Sequence, residues 1–214
     1  ETLGTIRKSA PEAPVGGMYP GSQFPWPTST YDMVKGTNAG FANLDEINFT
    51  NGAVLTVRHL SVGGFSAPVS LPTLGNTSLN TSPSVTVTAQ MSLDHTNFFP
   101  ATATGSAVIS IANTTAPSGN LTTYDTEMLS LNLSGTSFFG SFLLRESPTK
   151  ASTGKHFVET GGPGFRIAGY FDASLELSID GGATWTPADS PTRISLMNPP
   201  CGANTAQLHV ETSG

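Results

Sequence analysis

Charge is scarce in this chain. Asp, Glu, Lys and Arg make up 11% of its 214 residues, against roughly 25% in an average soluble protein. Lys and Arg number 9 against 15 Asp and Glu, leaving a formal charge of −6. Phosphate neutralisation needs clustered cations, so this balance argues against a nucleic-acid partner. Long apolar runs are missing too: no stretch of about 18 apolar residues is present, and no membrane span is expected. Cysteine occurs once, at Cys201. A single thiol makes no disulfide within the chain and rules out C-x-x-C-H haem attachment and cysteine-rich zinc sites. In Pro199-Pro200-Cys201-Gly202 it reads as a small buried or turn residue. His59, His95, His156 and His209 keep none of the spacings of a metal site, so neither metal nor cofactor is expected. No nucleophile elbow, phosphate loop or dinucleotide-binding glycine run is found, and Gly161-Gly162-Pro163-Gly164 reads as a turn. Apolar residues nowhere hold a helical spacing for three turns.

Ser, Thr and Asn fill the space left by charge, with 23 Gly and 16 Pro. Such a mixture predicts many short strands joined by turns. Ile47-Asn48-Phe49 and the run 53–62 flank Asn51-Gly52, a strong hairpin signal. In the run 84–93, Val85, Val87, Ala89, Met91 and Leu93 alternate onto one face. Runs 106–112 and 128–133 alternate likewise, whereas 137–144 is continuously apolar and predicts a strand buried on both faces. Shorter candidates are 157–158, 165–171 and 207–210. Roughly eight to eleven strands at this spacing predict an all-β, antiparallel β-sandwich of jelly-roll-like type over residues 41–214. Residues 1–40 read as an extended Pro/Gly-rich arm, because each X-Pro step favours extended geometry. Met18, Tyr19, Phe24 and Trp26 in that arm are costly to leave in water, so the arm is expected either to pack on its own domain or to dock on a neighbouring subunit, with these four as the candidate assembly contacts.

Residues 169–196 are the most informative stretch. Ala173, Leu175, Leu177 and Ile179 point one way, and Ser174, Glu176 and Ser178 the other, as a half-buried strand requires. Asp180-Gly181-Gly182 then predicts a tight turn, closed by the carboxylate and relaxed by glycine. Ser178, Asp180, Gly182, Thr184 and Trp185 fit the Asp-box pattern S-x-D-x-G-x-T-W at every specified position. That motif resembles a hairpin found in sialidases and many unrelated secreted proteins, where it is structural. A propeller, the fold that Asp boxes commonly decorate, is disfavoured because one copy occurs and no repeat near 40–50 residues is visible.

A wider resemblance runs from Thr126 to Leu196. Thr126-Glu127-Met128-Leu129-Ser130-Leu131, Arg145-Glu146-Ser147-Pro148-Thr149 with Ser152-Thr153-Gly154, and Gly169-Tyr170-Phe171-Asp172 before the Asp-box hairpin occur in order. Together they resemble an uncharacterised all-β module of large secreted bacterial surface proteins. The resemblance implies an extracellular or surface-associated context and no enzymatic activity. A chain that starts at Glu1 is further expected to be a mature form or a piece of a larger precursor.

Candidate chemistry is thin. Arg145 and Glu146 are expected to order a loop, Glu146 accepting backbone N–H bonds and Arg145 covering a strand edge. Asp125 and Glu127 on one strand, with Asp172 and Glu176 on another, would meet only if those strands were adjacent, and Glu127 and Glu176 are expected on the solvated face. Asn48, Asn76, Asn80, Asn113, Asn120 and Asn132 each open an N-x-S/T triplet. Asn76 and Asn80, in a stretch read as a polar loop, are the glycosylation candidates. The expected function is therefore that of a non-enzymatic extracellular structural protein, a filament, sheath or surface-layer subunit that self-associates through its arm. The alternative is a carbohydrate-binding module with Trp26, Tyr31, Tyr124 or Tyr170 as its sugar platform and a polysaccharide as its partner. An enzyme using Glu127 and Glu176 ranks third.

Overall fold

The computed structural model describes residues 18–19, 23–24, 30–33, 46–50, 54–65, 69–160 and 165–197. Among them every regular element is a strand, and every pairing is antiparallel. In chain order these are β1 (Met18–Tyr19), β2 (Gln23–Phe24), β3 (Thr30–Met33), β4 (Glu46–Thr50), β5 (Val54–Gly63), β6 (Val69–Ser70), β7 (Thr77–Ser92) and β8 (Phe99–Ala112). They continue as β9 (Leu121–Ser137), β10 (Gly140–Glu146), β11 (Ser152–Thr160), β12 (Phe165–Ala173), β13 (Leu175–Ser178), β14 (Thr186–Pro187) and β15 (Thr192–Met197).

Three strands, β5, β9 and β12, each serve two partners along one edge, and the division at β5 and β9 decides the architecture. β9 pairs with β8 on one side; on the other, 121–128 pairs with β11 and 132–137 with β10. β5 pairs with β7 on one side; on the other, 54–58 pairs with β4 and 61–62 with β3. The face β5-β7-β8-β9 is therefore closed twice. One circuit returns through β11, β12, β15 and β3. The second passes through β10, β13 and β14 to β4, where a Phe49–Ala188 bridge and the Asp189 N–H donating to Asn48 O at 2.9 Å complete it. The all-β antiparallel expectation holds, with the two faces joined at their edges into a nearly closed, barrel-like sheet. β7, β8, β9 and β10 run as a meander, neighbours in both chain and sheet, whereas the β9–β11, β10–β13 and β3–β15 pairings join strands that are not consecutive in the chain.

Three bulges keep the apolar sets facing inward over these long strands. At each, one strand carries an extra residue, which shifts the alternation by one position. His59-Leu60 opposite Ala89 turns Val57, Leu60 and Val62 all toward the core, and His59 takes φ 53° to do so. The 83–84 pair opposite Ser106 brings Val85 and Val87 in behind buried Asn80 and Ser82. Leu129 is the extra residue opposite the Val108–Ile109 step, so it is exposed while Met128, Leu131 and Leu133 are buried.

Several local expectations are corrected. The apolar run 137–144 is no continuous buried strand: Phe138 and Phe139 form a hairpin tip, with Phe138 exposed and its ring 4.4 Å from Phe99. Leu93 is exposed past the end of β7, although Val85, Val87 and Met91 are buried as their alternation predicts. β13 is buried on both faces rather than one, and Ile179 beyond it is 60% exposed. Asn80 is a fully buried strand residue, which closes it to glycosylation in the folded chain, while Asn76 sits in an exposed turn. Within residues 1–40, β3 is an integral sheet strand between β15 and β5, while β1 pairs with β12 and β2 with β6. Trp26, Cys201, His209 and the run 207–210 lie outside the described residues.

His156 marks the centre of the β11–β12 layer. It is fully buried; its Nδ1 lies 3.0 Å from Thr126 Oγ1 and its ring 5.1 Å from that of Phe171. Gly169 across the strand pair makes the room, since a Cβ there would stand 2.1 Å from the imidazole. Desolvation pushes the His156 pKa down to about 3 from the ordinary 6.5. The unfolded chain thus takes up a proton near pH 6.5 that the folded chain refuses until about pH 3. Stability from this group is complete above pH 6.5 and is lost as pH falls through that window, by up to about 1.4 kcal/mol per pH unit. Denaturant unfolding at pH 7, 6, 5 and 4 is expected to show that decline in the natural chain and a shallower one in His156→Gln. Equal slopes in the two proteins would contradict a neutral core imidazole.

Candidate functional site

An open cleft of about 340 Å³ lies on the outer face of β8, β9, β11 and β12. Strand register builds it. One row across the sheet reads Ser110, Glu127, Thr153, Asp172 and Arg193. The next reads Ala112, Asp125, Lys155, Tyr170 and Ser195. The carboxylates of β9 and β12 thus share a face, but β11 separates the two strands, placing them two spacings or roughly 9.5 Å apart.

Both aspartates are committed to neighbours. Lys155 Nζ donates to Asp125 Oδ1 at 2.7 Å, and Thr114 Oγ1 donates to the other oxygen. The Lys155 bond, and then that from Thr114, hold the Asp125 carboxyl below its usual range. Arg193 grips Asp172 with two bonds of 2.7 and 2.6 Å, and its guanidinium lies 3.9 Å over the Tyr170 ring. Tyr170 is the one candidate sugar-platform residue that the structure puts in the cleft. Tyr124 is buried in the core, where desolvation raises its pKa, and the side chains of Trp26 and Tyr31 are outside the described set. A second, shallower groove of about 270 Å³ is lined by hydroxyls of Thr102, Thr104, Ser134, Thr136 and Ser141.

Glu176 does not join the cleft. It is 8% exposed, not solvated, and the reason is a cover built from two sequence-distant pieces. Arg145 on β10 donates to Glu176 Oε2 through Nε at 2.9 Å and Nη2 at 2.7 Å, and Ser147 Oγ donates to Oε1 at 2.8 Å. Trp185 stacks under the same guanidinium, 3.9 Å away. Arg145 therefore neutralises a buried carboxylate instead of covering an edge. Glu146 accepts from Ser152 Oγ at 3.3 Å. Burial raises its pKa, with the charges of Glu127 and Glu176 adding to the effect. The nearness of these three glutamates has no sequence signal, because it depends on which strands β10 and β11 pair with.

The hairpin at 178–185 has the bonds its residues predict. Ser178 Oγ donates to Asp180 Oδ1 at 2.7 Å, and the Gly182 N–H donates to Ser178 Oγ at 2.9 Å. Thr184 gives Asp180 its N–H at 2.9 Å and its hydroxyl at 2.5 Å. These donors, led by the Thr184 hydroxyl, push the Asp180 pKa well below the carboxylate range. Gly181 and Gly182 supply φ of 76° and 94°. A carboxylate so occupied is a turn lock, not an acid or a nucleophile. Among the described residues no three of His, Cys, Asp and Glu are grouped to hold a metal ion. Nor is any described helix long and apolar enough to cross a membrane. No family model matches the chain, and neither a curated protein nor a solved structure matches it.

The two arginine pairs differ in burial, and that difference decides their worth. Arg145 and Glu176 side chains are 29% and 10% exposed, against 36% and 39% for Arg193 and Asp172. Arg145→Met is expected to cost about 2–4 kcal/mol, somewhat less than for a wholly buried pair, because it strands a buried carboxylate. Arg193→Met is expected to cost roughly 0–1 kcal/mol, as exposed pairs do. Chemical denaturation of both variants checks the order, and equal losses would contradict it.

Proposed function

We propose that the protein is a structural subunit of an extracellular or cell-surface assembly, of filament, sheath or surface-layer type, joined through its N-terminal residues. The observation that carries this reading is the position of β3. A four-residue strand from the first forty residues pairs with β15 on one side and β5 on the other, and so completes a circuit of the sheet. Segments that add themselves to a sheet through backbone bonds are a general means of linking subunits. The resemblance of residues 126–196 to secreted bacterial surface modules supports the address. In this reading Met18, Tyr19, Phe24 and Trp26 supply the apolar contact, with several kcal/mol to be had from two or three buried aromatics at roughly 25 cal/mol per Å². Light scattering and electron microscopy of the full chain are expected to show multimers that grow with concentration. A chain lacking residues 1–33, folded in the presence of a synthetic peptide of residues 28–36, is expected to remain monomeric. A full chain that stays monomeric, or a shortened one that still assembles, would overturn the proposal.

The cleft beside Tyr170 favours a second reading, that of a carbohydrate-binding module on the same scaffold. An aromatic ring flanked by Asp125, Glu127, Lys155 and Thr153 offers a sugar one stacking face and several hydrogen-bonding groups. Affinity electrophoresis in soluble polysaccharides separates the two. Retardation of the natural chain that is lost in Tyr170→Ala supports sugar binding, and equal mobility with and without polysaccharide excludes it.

A further inference from the structure

The slot that β3 fills has two walls and only a short occupant. On β15, Thr30–Met33 faces Met197, Leu196, Ser195 and Ile194; on β5 it meets only Val62 and Ser61. The bulge at His59-Leu60 ends its seat on β5, because residues 54–58 turn their edge to β4 instead. Behind the slot lie Val62, Ile194 and Leu196, all buried. A vacated slot would bare two strand edges and this apolar floor, so an occupant is required. The occupant must bring a strand of matching register to both edges at once, and residues 30–33 are the segment shown to do so.

Nothing in that geometry requires the segment and the slot to belong to one chain. Twelve residues, 34–45, connect β3 to β4, and a chain of that length spans up to roughly 40 Å when extended. We infer that the partner of the β5–β15 slot in the assembled protein is the Thr30–Met33 strand of a second copy, exchanged for the chain's own. This rests on the assembly reading above and names its contact. Passed from copy to copy in one direction, such a contact is heterologous and leaves a free strand at one end and a refillable slot at the other, the condition for an open polymer. Two copies exchanging reciprocally would instead form a closed dimer, so the length of the product reports the direction of exchange.

Cross-strand thiols test this directly. Antiparallel register partners have Cα atoms about 4.5–5.5 Å apart, inside the range of roughly 4.4–6.8 Å for a disulfide. Asp32 is a register partner of both Ser195 and Ser61. In a Cys201→Ser background, Asp32→Cys chains are unfolded together with Ser195→Cys or Ser61→Cys chains, refolded at assembling concentration, and oxidised. Disulfide-linked heterodimers in both mixtures are the expected result, and the double variants Asp32→Cys/Ser195→Cys and Asp32→Cys/Ser61→Cys mark the migration of the within-chain bond. Multimers that assemble while disulfides form only within double-variant chains would overturn strand exchange and leave the assembly reading standing. Absence of multimers altogether would overturn both.

Discussion

Backbone hydrogen bonding at the edges of β5 and β9 is the constraint on which this molecule depends. Each strand spends one edge on a single long partner and divides the other between two short ones. A strand edge left bare is an unsatisfied row of donors and acceptors, and closure removes that row from solvent and from stray partners. Dividing the edge lets one four-stranded face be closed by two different sets of strands at its two ends. The core lies inside this closure, with Phe49, Met91, Ile109, Met128, Phe171 and Ile194 among its most buried side chains.

The bulges are the local counterpart of that closure. A strand as long as β9, with 17 residues, cannot keep a strict period of two and also follow a strongly coiled sheet. Extra residues at 59, 83 and 129 reset the phase where the sheet turns, and each leaves one side chain on the wrong side of the pattern. Exposed Leu129 is the plainest instance.

Electrostatics in so weakly charged a chain is a matter of individual pairs. Arg145 bridges Glu176 and Trp185 and ties β10, β13 and the 178–185 hairpin into one block. Arg193 repeats the arrangement with Asp172 and Tyr170 nearer to solvent, beside the open cleft. In both, a guanidinium serves one carboxylate through its N–H groups and one aromatic ring through its face. Such groups are spent on holding neighbouring strands together.

Strand class, the pairing of β4 with β5 and the Asp180 turn were legible in the sequence, since alternation and turn chemistry act between residues a few positions apart. The same local rules misplaced Leu129, Ile179 and Glu176 and read the Phe138-Phe139 tip as strand interior, because those outcomes depend on bulges and on what covers a face. Of the cleft residues, Asp125, Asp172 and Tyr170 stand out in the sequence but their partners Lys155 and Arg193 do not, because strand register joins Asp125 to Lys155, 30 positions away, and Asp172 to Arg193, 21 positions away. The sequence by itself determined an antiparallel all-β chain with a carboxylate-locked hairpin, because periodicity and turn propensity are short-range. Tertiary structure alone decided that the first forty residues contribute β1 and β3 to the sheet and that Glu176 is buried beneath an arginine, because edge pairing and desolvation arise only when distant segments meet.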